Sequence, residues 1–499
     1  MKSNAIYMLV VVMVMMLFSM CRKDMGNYDY REIPELRIDT TGAAGPFTVR
    51  VGIEELVVTP RVIYTGTEDL DYYWIAEPNS TTFNFRDTLS REKELRTTIH
   101  LPISSSVGHT LFYMVVERET GRSAIVKYTL RVTGSTGTGM MVAHEKNGTV
   151  DIDLIGTPTT DNNPITRNIY QAVNGSRLPG KVTGLATVGE NNLFMLMTDQ
   201  SMSLMVADGM VRQFADEEIF GLLTPDVFKP ESFFYRSGTI NYLINNGHVY
   251  QNFINNSAPG LMTQRMLVDD GSNYRMSPVY LEGTTTGFFF DELGKRMLQT
   301  GAASSNTLTR FAKANATEKF SLDYIDRKIL FGKKGFNLGS FLQSTAYVFF
   351  ADQTGSGRYL YVMVPNTPAT PAKALIDISA SPDIQDAKYY EVFETAPCVY
   401  YATEQKLYLL QVNSGGNSYV NAGVEFTPPA GEVISCIKLD RTGGTAELFY
   451  YIATWNESTG QSTVRQFSIN TGTGRLSTSP VRTWTGFDGK ITMMNWKRY

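Results

Sequence analysis

The chain has 499 residues, 42% of them hydrophobic and 19% charged, with a formal net charge of −4 at pH 7. That length exceeds one ordinary core and implies two or three domains of an ordinary folded protein. The slightly acidic balance argues against a nucleic-acid binder, which needs a concentrated basic face. Four scattered histidines (His100, His109, His144 and His248) give a multi-histidine metal centre little to draw on.

At the start of the chain, Lys2 precedes an apolar run from Ala5 to Met20 that is 16 residues long. A membrane-spanning helix needs about 20 such residues, so the run fits a secretory signal better than a span. Cys21 and then "RKDMGNYDY" follow it directly. The stretch resembles a bacterial lipoprotein signal, in which the cysteine becomes the lipid-bearing first residue of the mature chain. Met20 is bulkier than the small residue usual before such a cut, so a plain signal peptide and an uncleaved anchor are the other readings. On the lipoprotein reading residues 1–20 are removed, Cys21 carries the lipid, and 21–34 form a short tether. Several acyl chains, each buried CH₂ worth about 0.8 kcal/mol, would hold the protein at a bilayer surface without spanning it.

The segment "KDMGNYDYREIPE" resembles the opening of the PKD-like lipoproteins of Bacteroidota. Residues 35–134 then read as a first β domain. Alternating apolar runs occur in "ELRID", "FTVRVG", "ELVVTPRVIYTG", "LDYYWIAE", "RTTIHLPI", "TLFYMVVERETG" and "AIVKYTLRV", each bounded by turn residues. Trp74 is placed like the buried tryptophan of an immunoglobulin-like sandwich, with no disulfide to pack on it. The family resemblance points to the same PKD-type fold. Such a domain serves as a spacer or as a glycan- or protein-binding module.

"TGSTGTG" (133–139) marks a boundary, and no strand–helix alternation follows it. Groups of about four short strands recur instead, as in "VTGLATV", "LFMLMTD", "MSLMVAD", "MVRQF". Taking the second turn of each group as a ruler gives seven centres near Asn147, Gln200, Asn246, Leu293, Pro368, Gly416 and Ser458. The wide gap before Pro368 holds an apparent insertion, 312–341, basic through Lys313, Lys319, Arg327, Lys328, Lys333 and Lys334. Four strands per unit at this period describe β-propeller blades. The final "GKITMMNWKRY" reads like the inner strand "GKVTGLATV" of another blade, so strand 489–496 is expected to close the ring. The fold class is therefore all-β: an immunoglobulin-like sandwich followed by a seven-bladed propeller over 138–499. "GTGMMVAHEKNGTVDIDLIG" and "NGSRLPGKV" extend the family resemblance into this second domain.

Chemistry-bearing motifs are sparse. No zincin motif, phosphate loop, dinucleotide fingerprint or nucleophile elbow is present. "DIDLIG" (151–156) places two carboxylates on one face of a strand, expected to be solvated, and "DDGSN" (269–273) lacks full calcium-loop spacing. Glu217–Glu218 and Asp291–Glu292 read as surface pairs. Cys398 and Cys436 sit in apolar runs and read as buried thiols, although they could pair. No cofactor is implied and no catalytic residue is assigned. The candidate ligand-binding residues are Trp455, Tyr419, Tyr274 and Phe336, aromatics at predicted loops where a sugar ring or peptide could cover the flat face; the competing reading for each is that it fills a gap between blades.

The family resemblance implies an accessory role in a SusC/SusD-type nutrient-import system at the outer membrane. It implies a lipid anchor, exposure at the cell surface, and capture or presentation of a glycan or peptide. Asp24 alone is a poor surface-export signal, so the outward orientation rests on the resemblance. The alternatives are a propeller hydrolase or lyase acting on polysaccharide, and a scaffold for partner lipoproteins. The enzyme would need two carboxylates or a Tyr/His pair about 5–10 Å apart at the central channel.

Overall fold

A computed structural model describes residues 33–497, apart from the segments 51–53, 80–85, 102–107, 134–138, 157–164, 189–192, 208, 222–223, 236–239, 254–261, 263, 283–286, 301–305, 338–344, 366–369, 414–417 and 440–447. The expected signal segment, Cys21 and most of the expected tether lie outside the described residues. Among those residues no helix is long and apolar enough to cross a membrane.

The N-terminal domain is built on a five-stranded sheet. Its order is Phe47–Arg50, Ser123–Thr133, His109–Glu117, Leu70–Pro78, Asp87–Ser90. The first pair runs parallel and the rest antiparallel. Two short pairs, Leu36–Asp39 with Arg61–Tyr64 and Glu55–Val58 with Leu95–Thr98, complete the sandwich. Leu56, Val58 and Leu95 share one core with Leu111, Tyr113, Val115, Leu130 and Val132. Trp74 is fully buried there, stacked on Tyr113 with centroids 4.3 Å apart, and its indole N–H donates to Glu92 O at 3.0 Å. Aromatic packing thus occupies the place a disulfide takes in antibody domains. The run "ELVVTPRVIY" is not one strand. Pro60 lacks the N–H a ladder needs, and the halves on either side of it pair with different partners.

The second domain consists of seven sheets arranged as blades. Their inner strands are Lys490–Lys497, Val182–Val188, Pro230–Tyr235, Met276–Glu282, Lys328–Gly335, Tyr389–Val392 and Val433–Leu439. Each inner strand neighbours the next around a closed circle. In blade one the C-terminal strand Lys490–Lys497 pairs with Gly139–Lys146, setting Met140 opposite Trp496 and Val142 opposite Met494. Thr149–Gly156 and Ile165–Thr166 complete that blade outward. Blade four carries a fifth strand, Leu267–Val268, parallel to Thr307–Arg310.

Middle strands such as Leu193–Thr198, Met202–Val206 and Thr345–Ala351 are buried along their whole length, because neighbouring blades cover both faces. Val211, beside the outer strand of blade two, packs against the sandwich core. Cys398 and Cys436 are free and buried, and burial pushes both thiols up to about 12.

The turn ruler slips in two blades. The second-to-third-strand turns of blades five and six are 352–357 and 403–406, whereas Pro368 and Gly416 fall one turn later, outside the described residues. The cause is "KILFGKKG". Its lysines, glycines and a bulge between Ile329 and Phe331 disguise an inner strand as an insertion. Of the described part of 312–341, only the residues before Lys328 are connector between blades. Lys333 and Lys334 belong to that strand and form ion pairs with Glu391 and Glu394.

Candidate binding face

The chain runs from the inner to the outer strand of each blade and crosses to the next inner strand. Second-to-third-strand turns and inter-blade connectors therefore emerge on one face of the ring. Two of these turns are tight Asn-Gly pairs, Asn147–Gly148 and Asn246–Gly247, with both residues at positive φ (52° and 74°, 48° and 72°). Only glycine and asparagine adopt this backbone readily, as the mirror-image hairpin turn requires.

The connectors are pinned to these turns. Ile325 N donates to Lys295 O at 2.6 Å, and Lys295 pairs with Asp326 at 2.6 Å. Arg327 pairs with Asp352 and lies 3.7 Å above the Tyr359 ring. Lys388 meets Glu404 at 2.9 Å, and Arg465 grips both oxygens of Glu432 at 2.8 and 3.1 Å. The Glu432 carboxyl is held below its usual range because the Arg465 and Thr454 hydrogen bonds outweigh the opposing effect of burial.

The four predicted aromatics do not converge. Trp455 ends the second strand of blade seven on the connector face, half-buried, its indole N–H donating to Glu457 Oε2 at 2.5 Å. Tyr419 opens the outer strand of blade six and packs into the core between blades five and six, with Ser381 Oγ donating to its hydroxyl at 3.1 Å. Phe336 follows the inner strand of blade five at the end of the blade away from the connectors, half-buried. Tyr274 was expected to present its ring at a loop, but it is only 6% exposed. Its hydroxyl donates to Met266 O at 2.8 Å and accepts from Val249 N at 3.2 Å, so the ring fills the seam beside blade four.

The sequence reading missed three exposed groups on this face: Leu293 (63% exposed), Tyr324 (58%) and Val227 (51%). Leu293 lies in the blade-four turn and Tyr324 in the connector pinned to it, beside the Lys295–Asp326 pair. The string "DYID" within the long connector held the signal for Tyr324. A shallow hollow on the same face is lined by Gln200, Arg212, Phe214, Glu217, Glu218 and Phe228. There Asp216 accepts from Ser201 Oγ at 2.6 Å and Met202 N at 2.8 Å, and Glu218 accepts from Ala215 N at 2.9 Å.

A His/Tyr pair does form, with the His248 and Tyr274 rings 5.6 Å apart, centroid to centroid. Burial, with Arg265 and Arg275 nearby, depresses the His248 imidazole, while burial raises the Tyr274 phenol, whose hydroxyl is spent on the backbone.

The "DIDLIG" carboxylates are not solvated. Asp151 and Asp153 are buried beneath the connector that carries the helix Ile169–Asn174. Asp151 Oδ1 accepts from Ile152 N, Tyr170 N and Gln171 N at 2.8–3.3 Å, and burial raises its carboxyl. Burial would raise Asp153 too, but His144 at 3.1 Å, Asn168 N at 2.7 Å and Arg167 at 3.0 Å hold it below the usual range. Backbone donors from the connector occupy this phase of the strand, so charge faces inward. In "DDGSN", Asp269 and Asp270 each meet Arg310 at 3.0 Å, which makes the string an ion-pair corner.

Among the curated proteins no sequence relative is found. Among solved structures the chain is similar to a dihydro-heme d1 dehydrogenase, NirN, in complex with DHE (9% identity, 79% of this chain, 74% of that chain, TM-score 0.41). It is also similar to Hsv2 of Kluyveromyces lactis (7%, 71% and 94%, 0.36) and to the Dos1 propeller (10%, 76% and 83%, 0.38). Likenesses this loose carry no argument about function. The sequence matches the PKD-like family over residues 21–181, a span that runs from Cys21 through the sandwich and the outer strands of blade one to the threshold of blade two. The chain thus matches the PKD-like family over residues 21–181, which take in the sandwich and the outer strands of blade one, and its second domain is a seven-bladed β-propeller.

Proposed function

We propose that the protein is a non-catalytic accessory component of a SusC/SusD-type nutrient-import system. Lipid on Cys21 holds it at the outer membrane, facing outward, with the sandwich as a spacer. The connector face of the propeller captures or presents a glycan or a peptide. The observation that carries this reading is the collection of pinned connectors and turns on one face, with Tyr324, Leu293 and Val227 exposed there and Trp455 half-exposed. Binding loops on a rigid scaffold have this form, and a flat exposed ring suits stacking on a sugar.

The test is extraction of tagged protein in mild detergent, followed by mass spectrometry of what co-purifies. Recovery of a TonB-dependent transporter with its partner lipoprotein is the expected result. Recovery of the protein alone, with turnover on a panel of polysaccharides, would overturn the reading in favour of an enzyme. Cys21→Ala should release the protein from the membrane fraction.

A further inference from the structure

The seven inner strands share a feature at their entry points. The residue that begins or immediately precedes each strand is Lys490, Lys181, Lys229, Arg275, Lys328, Lys388 and Glu432, blade one to blade four and then five to seven. Six of the seven are basic, in a chain where Lys and Arg together number 45 of 499. Composition does not produce that pattern.

Three of these positions are equivalent in structure as well as in sequence. The main chain at Lys181, Lys229 and Arg275 makes the same pair of contacts in successive blades. Each carbonyl accepts from the adjacent turn, namely Asp199 N at 2.9 Å, Asn246 N at 2.9 Å and Glu292 N at 2.8 Å. Each N–H donates to an acidic or amide side chain at the end of the second strand, Asp199 at 2.7 Å, Asn245 at 2.7 Å and Asp291 at 3.1 Å. Lys388 N donates instead to a backbone carbonyl, Ala402 O at 2.8 Å. Lys328 and Lys490 lie inside their strands, in register with Ala351 and Glu145 of the second strands, and the residue of blade five level with Arg275 is Arg327, paired with Asp352. Six cations therefore stand at the connector-face ends of six inner strands, the strands that ring the central axis.

Their charges are incompletely balanced. Lys229 and Arg275 share Glu231 at 3.1 and 2.9 Å, and Lys388 has Glu404 at 2.9 Å. Lys181, Lys328 and Lys490 make no ion pair among the described residues; the first two are exposed and Lys490 is half-buried. Lys490 and Lys181 start neighbouring inner strands, while Lys328 stands across the ring. Like charges around a low-dielectric mouth concentrate a positive potential there, although the whole chain is acidic.

From this arrangement we propose that the channel mouth binds the carboxylate or sulfate groups of an acidic polysaccharide. A single small anion reaches few of six cations spread over six blades, whereas a chain with repeated acidic groups reaches several. The exposed ring of Tyr324 on the same face supplies a surface for the sugar itself. The inference rests on the glycan-binding reading of this face and narrows its ligand class.

The test uses the full chain in neutral detergent, with polygalacturonate and chondroitin sulfate as probes, neutral dextran as control and poly-glutamate as a peptide polyanion. Both acidic polysaccharides should bind, with affinity falling about tenfold or more between 50 and 300 mM salt as screening shortens the reach of the ring. The triple variant Lys181→Glu, Lys328→Glu, Lys490→Glu should lose binding about 30-fold or more relative to wild type, on the scale of several lost charge contacts. Lys373→Glu on the outer strand of blade five should bind as wild type. If the triple variant melts early, the triple Gln variant takes its place and should lose most of the same affinity. Unchanged binding by a folded triple variant, or poly-glutamate binding as tightly as the polysaccharides, would overturn the inference. Dextran binding that Tyr324→Ala abolishes and the triple variant leaves intact would overturn it while leaving the glycan-binding face standing. Binding of none of these polymers, with co-purification of a peptide ligand, would remove both.

Discussion

Along the sandwich strand His109–Glu117, buried and half-buried residues alternate without interruption, whereas in the blade strands Leu193–Thr198 and Thr345–Ala351 every residue is buried. The large sheet of the sandwich packs one face on the core around Trp74 and leaves the other partly wet. A blade is pressed by a neighbour on each side. The sandwich therefore carries its stability locally, while each blade depends on two others. For blade one, one neighbour and the inner strand itself are set by the C-terminal segment Lys490–Lys497. The same contrast separates stiffness from display: the sandwich packs a small set of rings, and the propeller spends its connectors on one face.

That contrast can be broken at its weakest seam. Deleting residues 490–499 takes the inner strand from blade one and exposes Met140, Val142 and Ile155, now buried against it and blade seven. The propeller should lose its cooperative unfolding transition altogether, while proteolysis should still leave a resistant sandwich fragment. A sharp propeller transition in the truncated chain would mean that the ring does not depend on its last strand.

Trp74→Ala is the converse experiment. Removing a fully buried indole should cost the sandwich about 3–5 kcal/mol and leave the propeller transition in place. Urea unfolding followed by near-ultraviolet circular dichroism separates the two. Loss of both transitions together would show that the contact through Val211 couples the domains more tightly than one side chain implies.

A smaller effect tests the buried charges of blade one. The second oxygen of Asp151 accepts no hydrogen bond among the described residues, and Arg177 stands off at 3.9 Å. Because burial raises the folded pKa of Asp151, its contribution is most favourable below the unfolded carboxylate range, near ~4, and is lost as pH rises through the folded value. Asp153, lowered in the fold, behaves in the opposite sense: its contribution is present above that range and lost as pH falls through the folded value. Asp151→Asn keeps an acceptor for the helix N–H groups and removes the buried charge. It should gain about 1–2 kcal/mol at pH 7, the scale of one unsatisfied buried group, and less at pH 4. A variant less stable than wild type at pH 7 would contradict the assignment of Asp151 as an incompletely satisfied buried charge.

The smallest change is expected at the exposed Lys295–Asp326 pair. Lys295→Ala should cost less than about 1 kcal/mol of stability, as solvent-exposed pairs do. Hydrogen exchange should nevertheless quicken in the connector around Ile325. Unaltered exchange there would mean that the backbone bond from Ile325 holds the connector by itself.

Much of this architecture was legible in the sequence because its signals are local. Alternation in "TLFYMVVE", apolar runs such as "LFMLMT" and the Asn-Gly turns each specify a strand or its end without outside help. "KILFGKKG" was misread because its lysines are satisfied by Glu391 and Glu394, carboxylates of the neighbouring blade that no local window contains. Asp151 and Asp153 were misjudged for a related reason: the backbone N–H groups that donate to them arrive from a connector, at separations of 19 and 15 residues. Of the candidate aromatics, Trp455 lies on the connector face, as its turn position implied. Tyr274 looked like a loop residue because the sequence does not show that its hydroxyl is claimed by Met266 and Val249. The basic residues that open six inner strands were visible all along, but their alignment needed the blade boundaries.

Amide hydrogen exchange across residues 490–497 probes the closed ring most directly. If the terminal strand completes blade one, its amides should exchange as slowly as those of Gly139–Lys146, and both only through unfolding of the whole propeller. Exchange of 490–497 within seconds, while the other blades stay protected, would contradict a closed wheel and with it the single rigid face on which the proposed binding depends.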